Sequence, residues 1–193
     1  MDDTLKAASA AASILDEMGV RWFLGGSLAS SVHGIPRATF DADIMADLRP
    51  QQVKPFLKRL CDAWCADEGA IMQPMQARSA FNLIHFDTAM KVDVFLPKLR
   101  RFDGGEFAMS RKMLVAEGSD VEASVCCAEN IVIAKLEWYR LGGEDSQRQW
   151  SDSSVCCDSM RANSISNCCA PAPKRSAALN SSKRQSKSLW FNF

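Results

Sequence analysis

The sequence predicts an α/β protein of the α+β kind. Short apolar runs of five to eight residues alternate with longer stretches of helical spacing. Gly-Gly and Asp-containing turns separate them, and two of the short runs carry acids between apolar side chains.

Each element follows from local signals. Leu5 to Met18 is rich in Ala and Leu at helical spacing, and Gly19 ends it as a glycine C-cap does. Val20 to Leu24 is a short strand that runs into Gly25-Gly26. Ser27 is suited to cap a short helix reaching Val32 or His33, closed by Gly34-Ile35-Pro36. Thr39 to Ala46 reads as a strand with Asp41 and Asp43 on one face and Phe40, Ala42 and Ile44 on the other. Pro50 to Trp64 reads as one amphipathic helix with Val53, Phe56, Leu57 and Leu60 on its stripe. Phe81 to Phe86 and Met90 to Leu96 are strands joined by Asp87-Thr88-Ala89, a hairpin. Residues 108–115 are expected as a short helix and 120–125 as a strand. Ala128 to Leu141 is a strong helix: Ile131, Ile133, Ala134, Leu136 and Trp138 are apolar, and Lys135 and Tyr139 lie four apart. Gly142-Gly143 ends it.

Composition sets the frame. The 193 residues suffice for one domain and a small second lobe. We expect a core over 1–127, a helical segment over 128–152 and a tail over 153–193. Net charge is zero, so bulk charge does not announce a nucleic-acid partner. No apolar run approaches the roughly 20 residues that span a bilayer. The start, Met1-Asp2-Asp3, lacks a basic leader segment, so a cytoplasmic protein is expected. Six of the eight cysteines form adjacent pairs, a spacing unlike that of zinc knuckles, and reduced thiols are the expectation.

The tail differs from the rest. Residues 151–193 hold 11 serines, against 10 in the preceding 150, and 6 Lys+Arg against 2 Asp+Glu. Hydrophobic periodicity ends there. One reading is a native disordered, basic, Ser-rich tail. The other is a frameshift. With Ser as TCN, Cys as TGC, Asp as GAC and Arg as CGC, one A added after Asp152 lets the shifted frame be read as Ile-Leu-Gly-Val-Leu-Arg-Leu-Asp-Ala-Arg-Lys-Leu-Asp-Leu-Glu-Leu-Leu-Arg. That is helix-like and amphipathic, and it continues directly from Arg148-Gln149-Trp150-Ser151-Asp152.

Three segments carry chemistry. Gly25-Gly26-Ser27 is a turn able to cradle phosphates. Asp41-Ala42-Asp43 on a strand places both carboxylates on one face. Asp93 sits in the apolar run Lys91-Val92-Asp93-Val94-Phe95-Leu96, where a buried acid is costly unless it meets a cation. Together they describe a site for two divalent metals and a nucleotide. Blander readings compete: edge-strand surface acids, an Asp93 pair with Arg100 or Arg101, and a plain Gly-Gly turn. His33 fits a helix end better than a ligand or base, and Trp138 and Tyr139 fit packing better than stacking.

This pattern resembles the nucleotidyltransferase superfamily of polymerase-β type, closest to small bacterial proteins related to abortive-infection toxin nucleotidyltransferases. His33-Gly34-Ile35-Pro36-Arg37-Ala38-Thr39-Phe40-Asp41 and the Lys135-Leu136-Glu137 helix, with Arg148 and Asp152 beyond it, add to the likeness. It covers about residues 10–152; the tail departs from it.

The resemblance implies a mixed sheet flanked by helices with the site at one edge. It implies that Asp41 and Asp43 ligate two Mg²⁺ ions, with Mn²⁺ as an alternative, and that Asp93 completes the metal near the acceptor hydroxyl. Gly25, Gly26 and Ser27 would bind the triphosphate, with Arg37 and Lys135 neutralising its charge. The reaction implied moves a nucleoside monophosphate from an NTP to a hydroxyl of RNA (tRNA among the candidates), a protein or a small molecule. It also suggests a toxin with an antitoxin partner, and no membrane. Two alternatives stand beside it: a non-catalytic nucleotide-binding or regulatory protein of the same fold, and an interaction module whose basic tail contacts nucleic acid.

Overall fold

The computed structural model describes residues 3–33, 38–98, 101–115 and 121–142, with two isolated positions, 154 and 157. Seven strands form one mixed sheet in the order β3-β4-β5-β2-β1-β7-β6. The chain runs α1 (Asp3–Glu17), β1 (Trp22–Leu24), α2 (Gly26–His33) and β2 (Asp41–Ala46). It continues with α3 (Val53–Leu60), β3 (Trp64–Cys65), α4 (Glu68–Ala77), β4 (Ala80–His85) and β5 (Met90–Phe95). It ends, among the described residues, with α5 (Arg101–Met109), β6 (Arg111–Leu114), β7 (Glu122–Val125) and α6 (Ala128–Leu141).

Strand alternation gives the sheet two different faces. On β2, Ala42, Ile44 and Ala46 are fully buried, and they join Val92 and Val94 of β5 in the main core. The Ala-rich stripe of α1 packs there: Ala7, Ala8, Ala11 and Leu15 are small enough for the helix to lie close. Phe56 of α3 fills the same core and meets Phe81 edge-on at 6.3 Å. A second cluster lies on the opposite face, built from Phe23, Ala29, Val125, Cys126 and Ile131 under α2 and α6. Phe23 and Leu24 are adjacent on β1 and therefore enter different cores. The odd positions of β2, Asp41, Asp43 and Met45, face this second side.

The central pairing fixes the acids. β2 and β5 run parallel, with Asp43 opposite Asp93 and Asp41 opposite Lys91. β1 lies antiparallel to β2 and parallel to β7. The β4–β5 hairpin over residues 86–89 is present as expected, with Ala89 at φ 53° in its turn.

Several elements depart from the sequence reading. α2 starts at Gly26, and the Gly25 carbonyl takes the first helical bond from the Ala29 N–H at 3.1 Å. Gly25 is therefore the cap, and Ser27 lies inside the helix. Phe40 precedes β2 and is 81% exposed, so it is not on the apolar face. The expected 50–64 helix is a 3-10 turn, α3 and a second 3-10 turn, because Cys61 takes φ 50° and breaks the α-helical path. Trp64 consequently begins β3, which pairs with β4. Helix α4 has no counterpart in the sequence reading; Asp67 caps it by accepting from the Ala70 N–H at 3.0 Å. The expected 108–115 helix is instead the end of α5 followed by β6, which is drawn into the sheet by antiparallel pairing with β7. α6 has the expected bounds, and Gly142 caps it.

Candidate active site

The site lies where β2 and β5 meet the start of α2, beneath α6. A cavity of about 450 Å³ opens there, floored by Gly25, Gly26, Ser27, Asp41 and Asp43. That volume falls in the range of small-molecule sites.

Gly26 is the tightest constraint. It adopts φ 54°, which glycine takes at little cost. A Cβ built on it would fall on the Asp43 carboxylate and lie 2.8 Å from the Asp43 Cβ. The backbone locks the same junction, since the Gly25 N–H donates to the Asp43 carbonyl at 2.9 Å. The Ser27 N–H donates to the Asp43 carboxylate, so this donor is turned to the acid rather than left open for a phosphate.

The three acids share one sheet face under different restraints. Asp43 has its pKa raised to about 6, chiefly by burial and then by the charges of Asp41 and Asp93. Lys135 and the Ser27 N–H act in the other direction. Asp41 accepts from the Thr39 hydroxyl at 2.9 Å. Thr39 is itself fixed through its carbonyl, which accepts from Thr4 of α1 at 2.8 Å. Asp93 pairs with Lys91, whose Nζ lies 2.7 Å from Oδ2. Its Oδ1 is buried and has no hydrogen-bond partner among the described residues.

The acids and the sequence-predicted cradle are thus brought together. Gly25, Gly26, Ser27, Asp41, Asp43 and Lys135 all border the cavity. Asp93 adjoins Asp43 by register instead of lining the cavity. Lys135 is 6% exposed and its charge is felt at Asp43. Arg37 lies outside the described residues, as do Arg100, Arg148 and Asp152. His33 is structural: its Nε2 donates to the Cys126 carbonyl at 2.8 Å and ties α2 to the strand end before α6.

Three residues were not foreseen here. Lys91 pairs with Asp93, a partner the sequence reading did not name; Arg100 and the Arg101 side chain lie outside the described residues. The position of Lys91 two before Asp93 on one strand was the available signal. Glu106, on α5 and 6% exposed, borders the cavity. The expected helix began beyond it, which left it in a loop. Trp138 lines the cavity rather than packing into a core.

These residues fit divalent cations by their chemistry. Three carboxylates offer hard oxygens, one of them buried and unpartnered, in a place where their mutual charge raises a pKa. Among the described residues no three His, Cys, Asp or Glu side chains already close on a common point. Mg²⁺ does not require that, since it is commonly held by one or two carboxylates together with substrate phosphates and water.

A mixed sheet whose glycine turn delivers a helix start onto an Asp-x-Asp strand, with a third acid on the parallel neighbour, has the nucleotidyltransferase fold. The antibiotic-resistance factor ANT(2'')-Ia shares it. Its solution structure aligns with TM-score 0.52 at 12% identity, over 86% of this chain and 90% of that one. Its crystal structure with adenylyl-2''-tobramycin aligns at 0.51 and 13% identity, over 84% and 92%. The lincosamide adenylyltransferase LnuA, bound to lincomycin, aligns at 0.47 and 14% identity, over 81% and 96%. No protein-family model and no curated protein matches the chain.

Proposed function

We propose that this chain is a metal-dependent nucleotidyltransferase, moving a nucleoside monophosphate from an NTP to a hydroxyl acceptor. The observation that carries this is the placement of Asp43 and Asp93 side by side on parallel strands, against a helix start that only glycine fits. Asp41, Asp43 and Asp93 would hold Mg²⁺, which would neutralise phosphate charge and stabilise an in-line displacement.

The chain's own residues do the rest. Gly26 leaves the Asp43 carboxylate free to face the cavity. The Ser27 N–H orients it. Lys135 supplies positive charge at the phosphate end. The acceptor oxygen attacks the α-phosphorus, the bond to pyrophosphate breaks, and the acceptor's proton leaves to water in the open cavity. ANT(2'')-Ia has been solved in complex with adenylyl-2''-tobramycin, and a small-molecule hydroxyl is the acceptor class we propose. No observation of the described residues bears on a tRNA, protein or antitoxin partner. Among the described residues no helix is long and apolar enough to cross a membrane.

One observation favours a second reading, a non-catalytic nucleotide-binding protein: Lys91 already occupies Asp93 Oδ2. Pyrophosphate release from labelled NTPs, assayed over a panel of hydroxyl-bearing small molecules, separates the two. Release that needs Mg²⁺ and is lost in Asp41→Asn and Asp43→Asn supports catalysis. Nucleotide binding with no release over the panel supports the second reading.

A further inference from the structure

We infer that Trp138 is the platform on which the base of the nucleotide stacks. This rests on the nucleotide reading above and assigns the part of the cavity that the acids do not explain.

The register of α6 carries the argument. Ile131, Ala134, Lys135 and Trp138 are spaced i, i+3, i+4 and i+7, one stripe of a helix, and all four line the cavity. Trp138 therefore belongs to the inward stripe. The outward face of α6 is a different set, with Ile133 and Leu136. An inward residue is expected to be buried, and Ile131 at 3% and Lys135 at 6% are. Trp138, on the same stripe, is 56% exposed.

Its neighbours make the exposed indole informative. Among the described residues three aromatic side chains line the cavity: Phe23 is buried, Phe95 is half-buried, and Trp138 is the one largely exposed. A large exposed aromatic on a concave wall is a mark of a binding surface, because its π-face costs least when another flat group covers it.

The polarity of the cavity says which group that is. Asp41, Asp43 and Gly26 are brought together at the junction of β2 with α2, and Lys135 acts on Asp43 there. Trp138 stands three residues further along α6, about 4.5 Å of helix rise from Lys135. A nucleotide has the same order, with charged phosphates at one end and a flat base at the other. With its phosphates at the acids and Lys135, the base comes to the indole. Stacking tolerates any base, since every base has a π-face.

Calorimetry on the full chain tests this with two ligands, Mg·ATP and Mg·tripolyphosphate, the second having no base. In Trp138→Ala we expect Mg·ATP affinity to fall about ten- to a hundredfold while tripolyphosphate binding stays within about twofold. Trp138→Phe, which keeps a ring, should recover most of the loss. Trp138→Ala that binds Mg·ATP like the parent overturns the assignment. So does a folded Trp138→Ala that loses both ligands equally, since the role is then structural. A parent chain that binds neither ligand overturns the nucleotide reading itself, and the platform with it. A parent that binds both while Trp138→Ala does so unchanged leaves that reading standing and removes only the platform.

Discussion

Asp43 is the residue on which the site turns. Burial and two like charges raise its pKa to about 6, against 3.8 for an ordinary aspartate. A raised carboxylate binds its proton more tightly folded than unfolded. Its stabilising effect is whole below the unfolded value and is lost as pH rises through about 6. The metal-free protein consequently carries a penalty at neutral pH of about 3 kcal/mol at most. A cation needs the ionised form, so the two demands oppose. Mg²⁺ affinity should therefore fall steeply as pH drops below about 6, and a metal titration between pH 5 and 8 would show it. Affinity that is flat across that range would contradict the role given to Asp43.

Lys91 belongs to the same scale. Its ammonium is held by the hydrogen bond to Asp93, and its pKa is raised for that reason first. On the proposed reading it would act as an internal counter-ion for an incoming cation to displace. Lys91→Met removes the charge but keeps the length. We expect it to lower the metal-free melting temperature and to tighten Mg²⁺ binding a few-fold. Unchanged or weaker Mg²⁺ binding would show that the pair does not compete with the metal.

At the scale of elements, the seating of α2 against β2 is what makes the site. Gly26→Ala places a methyl on the Asp43 carboxylate and forces a residue with a Cβ to φ 54°. The backbone cost is about 1 kcal/mol, which a folded domain survives. The Asp43 carboxylate cannot stay where it is. We expect a folded protein by circular dichroism whose Mg²⁺-dependent nucleotide binding is reduced at least about a hundredfold. Retained binding would mean that the close approach has no bearing on function.

Legibility in the sequence also divides by element. Strands β2 and β5 and helix α6 were readable because apolar alternation or helical spacing is complete within each. The register of Asp43 against Asp93 was not, because strand pairing is decided by partners distant in the chain. Residues 101–114 misled for a related reason. Arg111–Leu114 has no strong strand pattern of its own and becomes β6 through pairing with β7. Cys61 broke the 50–64 helix by a backbone angle that no residue type there announces. Helix α4 was readable in principle, from Asp67 as cap and Ile71 and Met75 as its buried pair. Of the site, the acids and the glycine turn were visible as motifs. Lys91, Glu106 and the inward aim of Trp138 required the fold.

For the whole molecule, the outer side of α6 bears on the tail. Ile133 and Leu136 are 38% and 40% exposed there. The amphipathic segment that one added base after Asp152 would encode is suited to cover such a surface. A chain with that frame restored should bind less hydrophobic dye and stay monomeric at higher concentration than this one. Equal dye binding and solubility would count against the frameshift origin and for a native tail.

The central claim is that the acid face and the glycine-started helix form a metal-dependent nucleotide site. Calorimetry of Mg·NTP binding, on this chain and on its Asp41→Ala/Asp43→Ala variant, tests it most directly. We predict binding to the parent that requires Mg²⁺ and disappears in the variant. A folded parent that binds no nucleotide, or a variant that binds as well as the parent, would contradict it.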